Sequence, residues 1–125
     1  MPGTGPSNAR IALVGQGPGE AEAHTGKPFV GPSGSILERW LAACGKPRDA
    51  FWIDNAVRCW LPGNRAPTRT ELTYCTRVHL FRALDTLPDL RVVVTLGMPA
   101  ARALLGDANE RIVGAPHQIP RELPT

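Results

Sequence analysis

The stretch Ile11-Ala12-Leu13-Val14-Gly15 is the part of this 125-residue sequence that most clearly indicates a fold. A continuous apolar run of this length that ends at glycine is typical of a strand buried on both faces of a parallel sheet. The loop that follows, residues 16–33, is rich in glycine and proline. A strand with such a loop at its carboxyl end predicts an α/β domain whose ligand site lies at that edge of the sheet.

Further helices and strands alternate downstream of this strand. Residues 35–44 carry Ile36, Leu37, Trp40 and Leu41 at helical spacing, and Gly45-Lys46-Pro47 ends this helix. The later elements are a strand over residues 51–57, a helix from Thr70 to about Thr86, a strand over residues 90–96 and a short helix over residues 99–105. The order β-α-β-α-β-α predicts an α/β, three-layer αβα fold with a central parallel sheet.

The composition of the chain limits its class. Gly and Pro contribute 13 residues each without a regular period, which excludes a collagen-like repeat and predicts long ordered loops. No apolar run approaches the roughly 18 residues of a membrane span, and residues 1–10 lack the apolar stretch of a signal peptide. We therefore expect a cytoplasmic protein with no membrane partner. Residues 1–9 are expected to be a disordered leader and residues 10–125 a single domain.

Charge and cysteine content leave several partners open. The net charge of +3 and the pI near 9.1 permit a polyanionic partner, but so modest an excess is common in proteins that bind none. The three cysteines, Cys44, Cys59 and Cys75, are an odd number in a chain without a secretory signal, so a disulfide framework is not expected. Free thiols and metal ligands both remain open.

The first loop contains the motif Gly15-Gln16-Gly17-Pro18-Gly19. Glycines allow the backbone to approach a ligand closely and to turn its N–H groups towards an anion or a carbonyl oxygen. The spacing differs from a GxGxxG dinucleotide motif that opens a helix, and no GK[ST] of a phosphate loop follows. Taken alone, the loop is compatible with a plain turn as well as with a ligand site.

Several motifs follow one another along the chain in a recognisable order. They are Gly15-Gln16-Gly17-Pro18-Gly19, Thr25-Gly26-Lys27-Pro28-Phe29-Val30-Gly31, Asn55-Ala56-Val57-Arg58-Cys59, Pro62-Gly63-Asn64-Arg65-Ala66-Pro67-Thr68, Cys75, and Leu96-Gly97 with Ala100-Ala101. From Ile11 to Gly106, the chain closely resembles the uracil-DNA glycosylase superfamily, and most of all its family 4, the iron–sulfur type. The resemblance implies a monomeric DNA-repair enzyme that acts on uracil-containing DNA and hydrolyses the N-glycosidic bond of a flipped uracil.

The resemblance assigns the substrate contacts to residues of two loops. It implies that the ring of Phe29 stacks on the flipped uracil, which offsets part of the few kcal/mol that base extrusion costs. It implies that Asn55 reads the uracil edge, because an amide can donate to O4 and accept from N3–H, whereas cytosine presents the opposite pattern. Without the resemblance, Phe29 is explained as a core residue and Asn55 as a turn residue. The loop residues implied to surround the base are Gly15, Gly17, Pro18 and Gly19.

The catalytic position departs from the family pattern. Family 4 has Glu directly after the first glycine of the loop motif, whereas this chain has Gln16, which cannot act as a carboxylate base. Glu20 and Glu22 are the remaining carboxylates of the loop, and either can orient water or offset the developing oxocarbenium charge. Exposed loop charges are an equally good explanation of both. His24 is better explained as a solvated loop histidine than as a catalytic group.

The resemblance also suggests metal ligands. Cys59 and Cys75 have the spacing of two of the four thiolates that hold the 4Fe–4S cluster of family 4. The other pair lies upstream of the first strand in the family, where this chain has no cysteine, so a complete cluster cannot be built from this chain alone. Cys44 is expected to be buried and inert on the apolar face of its helix.

The second loop, residues 58–69, is the expected DNA-facing surface. Arg58, Arg65 and Arg69 lie in it, and arginines there suit phosphate contacts that give affinity without sequence preference. Taken singly, each is also explained as a solvated charge.

The family fold continues beyond the third helix, through a further strand and a loop that supplies a catalytic histidine and a wedge inserted into DNA. His117 follows Gly106 too closely to match that loop, so we expect this chain to lack the C-terminal part of the family fold.

Three functions remain open. The first is a uracil-DNA glycosylase, and the second is a non-catalytic or weakly active DNA- or nucleobase-binding member, which Gln16 favours. The third is a generic Rossmann-like nucleotide enzyme, which leaves the paired loops unexplained.

Overall fold

The computed structural model describes residues 2–27 and 29–105, which form a parallel sheet with helices on both faces. The strands are β1 (Ile11–Gly15), β2 (Trp52–Asn55) and β3 (Val92–Thr95). The helices are α1 (Glu20–Thr25), α2 (Pro32–Ala43), α3 (Arg69–Cys75), α4 (Phe81–Asp85) and α5 (Met98–Leu105). This part of the chain also contains the short 3-10 helices Arg48–Ala50 and Pro62–Asn64 and the π-helical segment Thr76–Leu80.

Strand β1 is the centre of the sheet. It pairs in parallel with β2 on one side and with β3 on the other, which gives the order β2-β1-β3. Gly15 lies opposite Asn55 in this register, so the carboxyl ends of β1 and β2 meet at one edge. The predicted α/β fold with a central parallel sheet between helical layers is confirmed.

Two apolar clusters cover the faces of the sheet, because successive side chains of a strand point to opposite faces. On one face, Ala12 and Val14 pack in a cluster with Leu80, Leu84, Leu87, Ala100 and Leu104. On the other face, Leu13 packs with Leu37, Leu41, Phe51 and Ile53. Residues 12–15 of β1 are buried as a result, which is the reason for their continuous apolar sequence.

The first loop contains a helix that the sequence did not predict. Helix α1 begins after Gly19 and ends at Gly26, whose φ of 74° lies in the left-handed region that favours glycine. The N–H of Gly26 donates to the carbonyl oxygen of Glu22 at 2.8 Å and closes the last turn. The flanking glycines and prolines predicted irregular backbone, but residues 20–25 (EAEAHT) contain neither residue type.

Helix α2 buries only half of its predicted apolar face. Leu37 and Leu41, four residues apart, face the sheet, whereas Ile36 and Trp40 are 46% and 61% exposed. Helical spacing identified all four residues but could not show which pair the sheet covers.

The prediction that Cys44 is buried was wrong, because this residue follows the last turn of α2 and is exposed.

The helix predicted from Thr70 to about Thr86 is interrupted by a π-helical segment. Helix α3, the segment Thr76–Leu80 and helix α4 follow one another directly. A capping box begins α3, because the N–H of Glu71 donates to Thr68 Oγ1 at 3.1 Å and the N–H of Thr68 donates to Glu71 Oε1 at 2.9 Å.

The residues before β1 contact the outer edge of β2. Thr4 forms an antiparallel bridge with Ile53 through backbone hydrogen bonds of 2.9 and 2.8 Å, and Ala9 is buried. This pairing differs from the disordered leader predicted for residues 1–9. Composition predicted the leader, but it cannot reveal that β2 offers free backbone groups to a neighbouring segment.

Some predictions concern parts of the chain that the structure does not describe. His117 and the rest of residues 106–125 are among these parts. Within the described ranges, none of the helices has the length and apolar character needed to cross a bilayer.

Candidate functional site

A cavity of about 820 Å³ opens at the carboxyl edge of the sheet, between the two loops expected to form the site. Its lining from the first loop consists of residues 15–22 and Phe29, and its lining from the second loop includes Cys59, Leu61, Asn64, Arg65 and Pro67. Backbone hydrogen bonds of 2.9 Å join the bases of the loops, from Ala56 N–H to Gly15 O and from Val57 N–H to Gln16 O. The remaining lining residues are Ile36, Leu37, Trp40, Asn55, Val57, Thr95, Leu96 and Gly97.

Gly15 brings the ring of Phe29 and the amide of Asn55 together. A Cβ atom at position 15 would overlap Cζ of Phe29 and would lie only 2.9 Å from Oδ1 of Asn55. Any side chain larger than glycine must therefore displace one of these groups. The structure thus brings together three of the residues that the sequence assigned to the substrate site.

Phe29 lies between the cavity and the core. Its ring is half-buried, lines the cavity, and packs against the apolar cluster that contains Leu13 and Leu37. The φ of Phe29 is 54°, a left-handed value that is rare for a bulky residue. Its position is therefore compatible with both earlier explanations, because one side of the side chain contacts the core and another borders the cavity.

Asn55 is buried at the end of β2. The residue is 3% exposed, and its backbone N–H donates to Asp54 Oδ1 at 2.7 Å. Its side-chain amide makes no hydrogen bond to any other residue in the ranges 2–27 and 29–105, although it lines the cavity. Because the side chain lines the cavity, its amide donor and its acceptor can reach a ligand there.

Asp54, which the sequence interpretation did not single out, is buried in β2 next to Asn55. Trp52 Nε1 donates to Asp54 Oδ2 at 3.2 Å, and Arg58 Nη2 donates to the same oxygen at 3.0 Å. Burial raises the pKa of the Asp54 carboxyl, while the hydrogen bond from Asn55 and the charge of Arg58 oppose that rise. The signal in the sequence was a carboxylate within an otherwise apolar strand, which needs a partner when buried.

Arg58 is held inside the protein. Its side chain is 16% exposed, and besides the ion pair with Asp54 it donates to the carbonyl oxygen of His79 at 3.3 Å. These contacts join the end of β2 to the π-helical segment. They give Arg58 an internal role that differs from the phosphate contact expected from its place in the second loop.

The carboxylates of the first loop occupy different environments. Glu22 is buried, and its Oε1 accepts a hydrogen bond from the N–H of Gly31 at 3.3 Å, so it ties α1 to the start of α2. Glu20 is exposed and lies 3.6 Å from Nε2 of the exposed His24. Gln16 is half-buried and lines the cavity with both carboxylates.

The second loop is held by polar contacts at its surface. Arg65 binds Glu71 with two hydrogen bonds of 2.8 and 2.9 Å, and the indole N–H of Trp60 donates to Asn64 Oδ1 at 2.8 Å. The hydrogen bond from Arg65 and the capping contact with Thr68 lower the pKa of Glu71 to about 2. The pKa of Arg65 is raised by the same pair. The exposed Arg69 begins α3 and does not line the cavity.

The cysteines do not form a complete metal site. Cys59 is exposed and lines the cavity, and Cys75 is half-buried at the end of α3. Among the residues that the structure describes, no three His, Cys, Asp or Glu side chains are grouped so as to hold a metal ion. A 4Fe–4S cluster takes four ligands, and this chain has three cysteines, so its residues do not fit a cluster held by one copy.

Comparison with known proteins identifies the family to which this fold belongs. The sequence model of the Uracil DNA glycosylase superfamily matches residues 2–122. A type-4 uracil-DNA glycosylase from Thermotoga maritima is 42% identical over 98 residues, which cover 78% of this chain and 50% of the relative. A type-4 uracil-DNA glycosylase from Sulfurisphaera tokodaii is 36% identical over 111 residues, which cover 88% of this chain and 50% of the relative.

A type-5 uracil-DNA glycosylase from Thermus thermophilus is 39% identical over 119 residues, which cover 84% of this chain and 53% of the relative. The chain thus spans about half the length of these curated relatives. The family model covers nearly all of the sequence, and the structure has the α/β fold with a parallel sheet that the resemblance predicted. The chain belongs to the uracil-DNA glycosylase superfamily.

Proposed function

We propose that this chain binds a uracil extruded from DNA and hydrolyses its N-glycosidic bond. The observation that carries the proposal is the meeting of Gly15, Phe29 and Asn55 in one cavity at the carboxyl edge of the sheet. A flat ring and a side-chain amide that faces the cavity are the two groups that a site for a single pyrimidine needs. Family membership supports the same function.

Recognition of uracil falls to Asn55 in this proposal. Its amide donates to O4 and accepts from N3–H of uracil. Cytosine has a donor in place of O4 and an acceptor in place of N3–H, so it would place like groups against the amide. Because Asn55 is buried, such a mismatch leaves polar groups without partners and costs roughly 1–3 kcal/mol. The half-buried ring of Phe29 supplies the stacking surface, with the backbone of Gly17, Pro18 and Gly19 close by.

The reaction adds water at C1′ of the deoxyribose as the bond to N1 of uracil breaks, and free uracil leaves. A carboxylate near C1′ would stabilise the developing oxocarbenium charge and orient the water. Glu20 is the better placed of the two candidates for such work, because Glu22 already accepts the hydrogen bond from Gly31. Gln16 contributes a polar cavity lining rather than a base.

A weakly active or non-catalytic nucleobase-binding domain is the second candidate. The observation that favours it is the combination of Gln16 at the motif position with the structural hydrogen bond of Glu22. General bases and electrostatic groups each contribute factors of roughly 10² to 10³ in rate, so binding would survive their absence better than turnover.

DNA contacts are assigned to the arginines of the second loop. Arg65 lines the cavity and Arg69 is exposed nearby in the sequence, so both can approach phosphates. The internal ion pair of Arg58 makes it the weakest candidate of the three. Cys59 and Cys75 remain predicted thiolate ligands, and the proposed reaction includes no step through a cluster.

The test substitutes Asp for Asn55, which replaces the amide donor with a carboxylate oxygen. Binding of single-stranded oligonucleotides with one uracil, cytosine or thymine is measured at fixed salt, and excision is measured under single-turnover conditions. We expect the wild type to prefer uracil and Asn55→Asp to lose that preference. Asn8→Asp makes the same change at an exposed position and is the control. Unchanged discrimination in Asn55→Asp would contradict the proposal.

A further inference from the structure

The backbone conformation of Phe29 raises the question of what holds its ring in place. A φ of 54° is unfavourable for a residue with a Cβ atom and persists only where neighbouring groups hold it. The ring of Phe29 also has no room to move towards β1, because it lies against Gly15. A group that holds the Phe29 backbone would therefore also set the position of the ring.

Arg48 makes such a contact. Its Nη1 donates to the carbonyl oxygen of Phe29 at 2.6 Å, and the same nitrogen lies 3.3 Å from Oε1 of Glu38 on α2. Arg48 begins the short 3-10 helix that connects α2 to β2, and its side chain is 26% exposed. Because a guanidinium is a cation, its hydrogen bond to a carbonyl oxygen is charge-assisted.

Gly34 supports the same peptide group from α2. A Cβ atom at position 34 would overlap the carbonyl group of Phe29, so the first turn of α2 lies directly against that backbone. The carbonyl of Phe29 is thus enclosed between the backbone of Gly34 and the guanidinium of Arg48. Neither residue lines the cavity.

We infer that Arg48 is a positioning residue, which holds the Phe29 carbonyl so that the ring stands over Gly15 and presents a stacking face to the nucleobase. This inference rests on the proposed function, because it assigns Phe29 the stacking role. A purely surface role for Arg48 would make its ion pair with the exposed Glu38 the main interaction, and pairs of that kind contribute little. The two roles predict different results for Arg48 and Glu38 variants.

The experiment compares Arg48→Met, which removes the guanidinium and keeps an unbranched side chain, with Glu38→Gln and Arg39→Met. Glu38→Gln removes the ion pair but leaves the Phe29 contact, and Arg39→Met makes the matched change at an exposed position. Two quantities are measured, the affinity for a uracil-containing oligonucleotide and the NMR shift of the Gly15 Hα protons. The second reports the ring current of Phe29 without any ligand.

We expect Arg48→Met to move the Gly15 Hα signals towards unshifted values and to weaken uracil binding roughly tenfold, the effect of losing one charge-assisted hydrogen bond. Both controls should leave both quantities close to wild type. In a Phe29→Ala background, Arg48→Met should have no further effect on affinity, because Arg48 acts through Phe29. Arg48→Lys retains a cationic donor, so its Gly15 Hα signals should lie between those of wild type and Arg48→Met. If Arg48→Met fails to fold, the Gly15 signals and the uracil affinity of Arg48→Lys are compared with wild type instead.

Unchanged Gly15 signals in Arg48→Met would overturn the inference. So would a further loss of affinity when Arg48→Met is added to Phe29→Ala. If the wild type binds uracil no better than thymine, the proposed function fails, and the Gly15 signals alone then decide whether Arg48 positions the ring.

Discussion

The two loops that wall the cavity are held by different kinds of interaction. The first loop depends on buried contacts, namely the ring of Phe29 against Gly15 and the carboxylate of Glu22 against Gly31. The second loop depends on surface contacts between polar side chains, of which the pair of Arg65 and Glu71 is the clearest. Buried contacts define a shape, whereas exposed ion pairs are weakened by salt and by protonation.

This difference suggests a division of labour across the cavity. The wall proposed to contact a flat base needs a fixed shape, because stacking and amide recognition depend on small distances. The wall proposed to face DNA phosphates carries exposed arginines, and phosphate contacts give affinity without a fixed geometry. The following variants test this comparison, in order of decreasing expected effect.

Asp54→Asn tests the start of the second loop. Arg58 there is an exception to the surface contacts of this loop, because its ion pair with Asp54 is buried. The variant leaves the Arg58 cation buried without its counterion, which should lower the free energy of unfolding by about 3 kcal/mol. Urea denaturation measures the change. Asp49→Asn, at an exposed position, should stay within about 0.5 kcal/mol of wild type. A loss below about 1 kcal/mol for Asp54→Asn would show that the buried pair does not anchor the loop.

Gly15→Ala tests the shape of the first wall. The added methyl must displace the ring of Phe29 or the amide of Asn55. The base then loses stacking or a hydrogen-bond partner worth roughly 1–3 kcal/mol, so uracil affinity should fall by roughly 5- to 150-fold. A binding titration measures the change. Gly17→Ala adds a methyl to the same loop, but its Cβ meets its nearest atom only at 3.4 Å, so we expect a smaller loss of affinity. Equal affinities for the two variants would argue against a fixed shape.

Glu71→Gln tests the surface contacts of the second loop and should have the smallest effect. The pKa of Glu71 is lowered to about 2, so its contribution to stability is present above its ordinary pKa near 4.5 and is lost as the pH falls towards 2. The melting temperature of Glu71→Gln should therefore lie slightly below that of wild type near neutral pH and converge with it in acid. Asp89→Asn, which removes a carboxylate at an exposed position, is the control, and a difference for Glu71→Gln that persists at acidic pH would exclude the ion pair as its cause.

The sequence predicted those features that depend on neighbours along the chain. The apolar run of β1 indicated a strand buried on both faces, whereas Asn55 was assigned to the site through the order of motifs shared with the glycosylase family. Arg48 could not be found in this way, because its partner, Phe29, lies across the fold and no local pattern connects them. Spacing likewise placed Ile36 and Trp40 on an apolar face, although burial depends on what the sheet covers.

The pairing of Gly15 with Asn55 links ligand binding to folding. The two residues are direct partners in the sheet but belong to strands far apart in the sequence, so the site forms only when β1 and β2 align in the native register. A slip of one residue would turn Asn55 to the opposite face of the sheet. A nucleobase that binds both strands would therefore select the native register, and at one hundred times its Kd it would add about 2.7 kcal/mol to the stability of the domain.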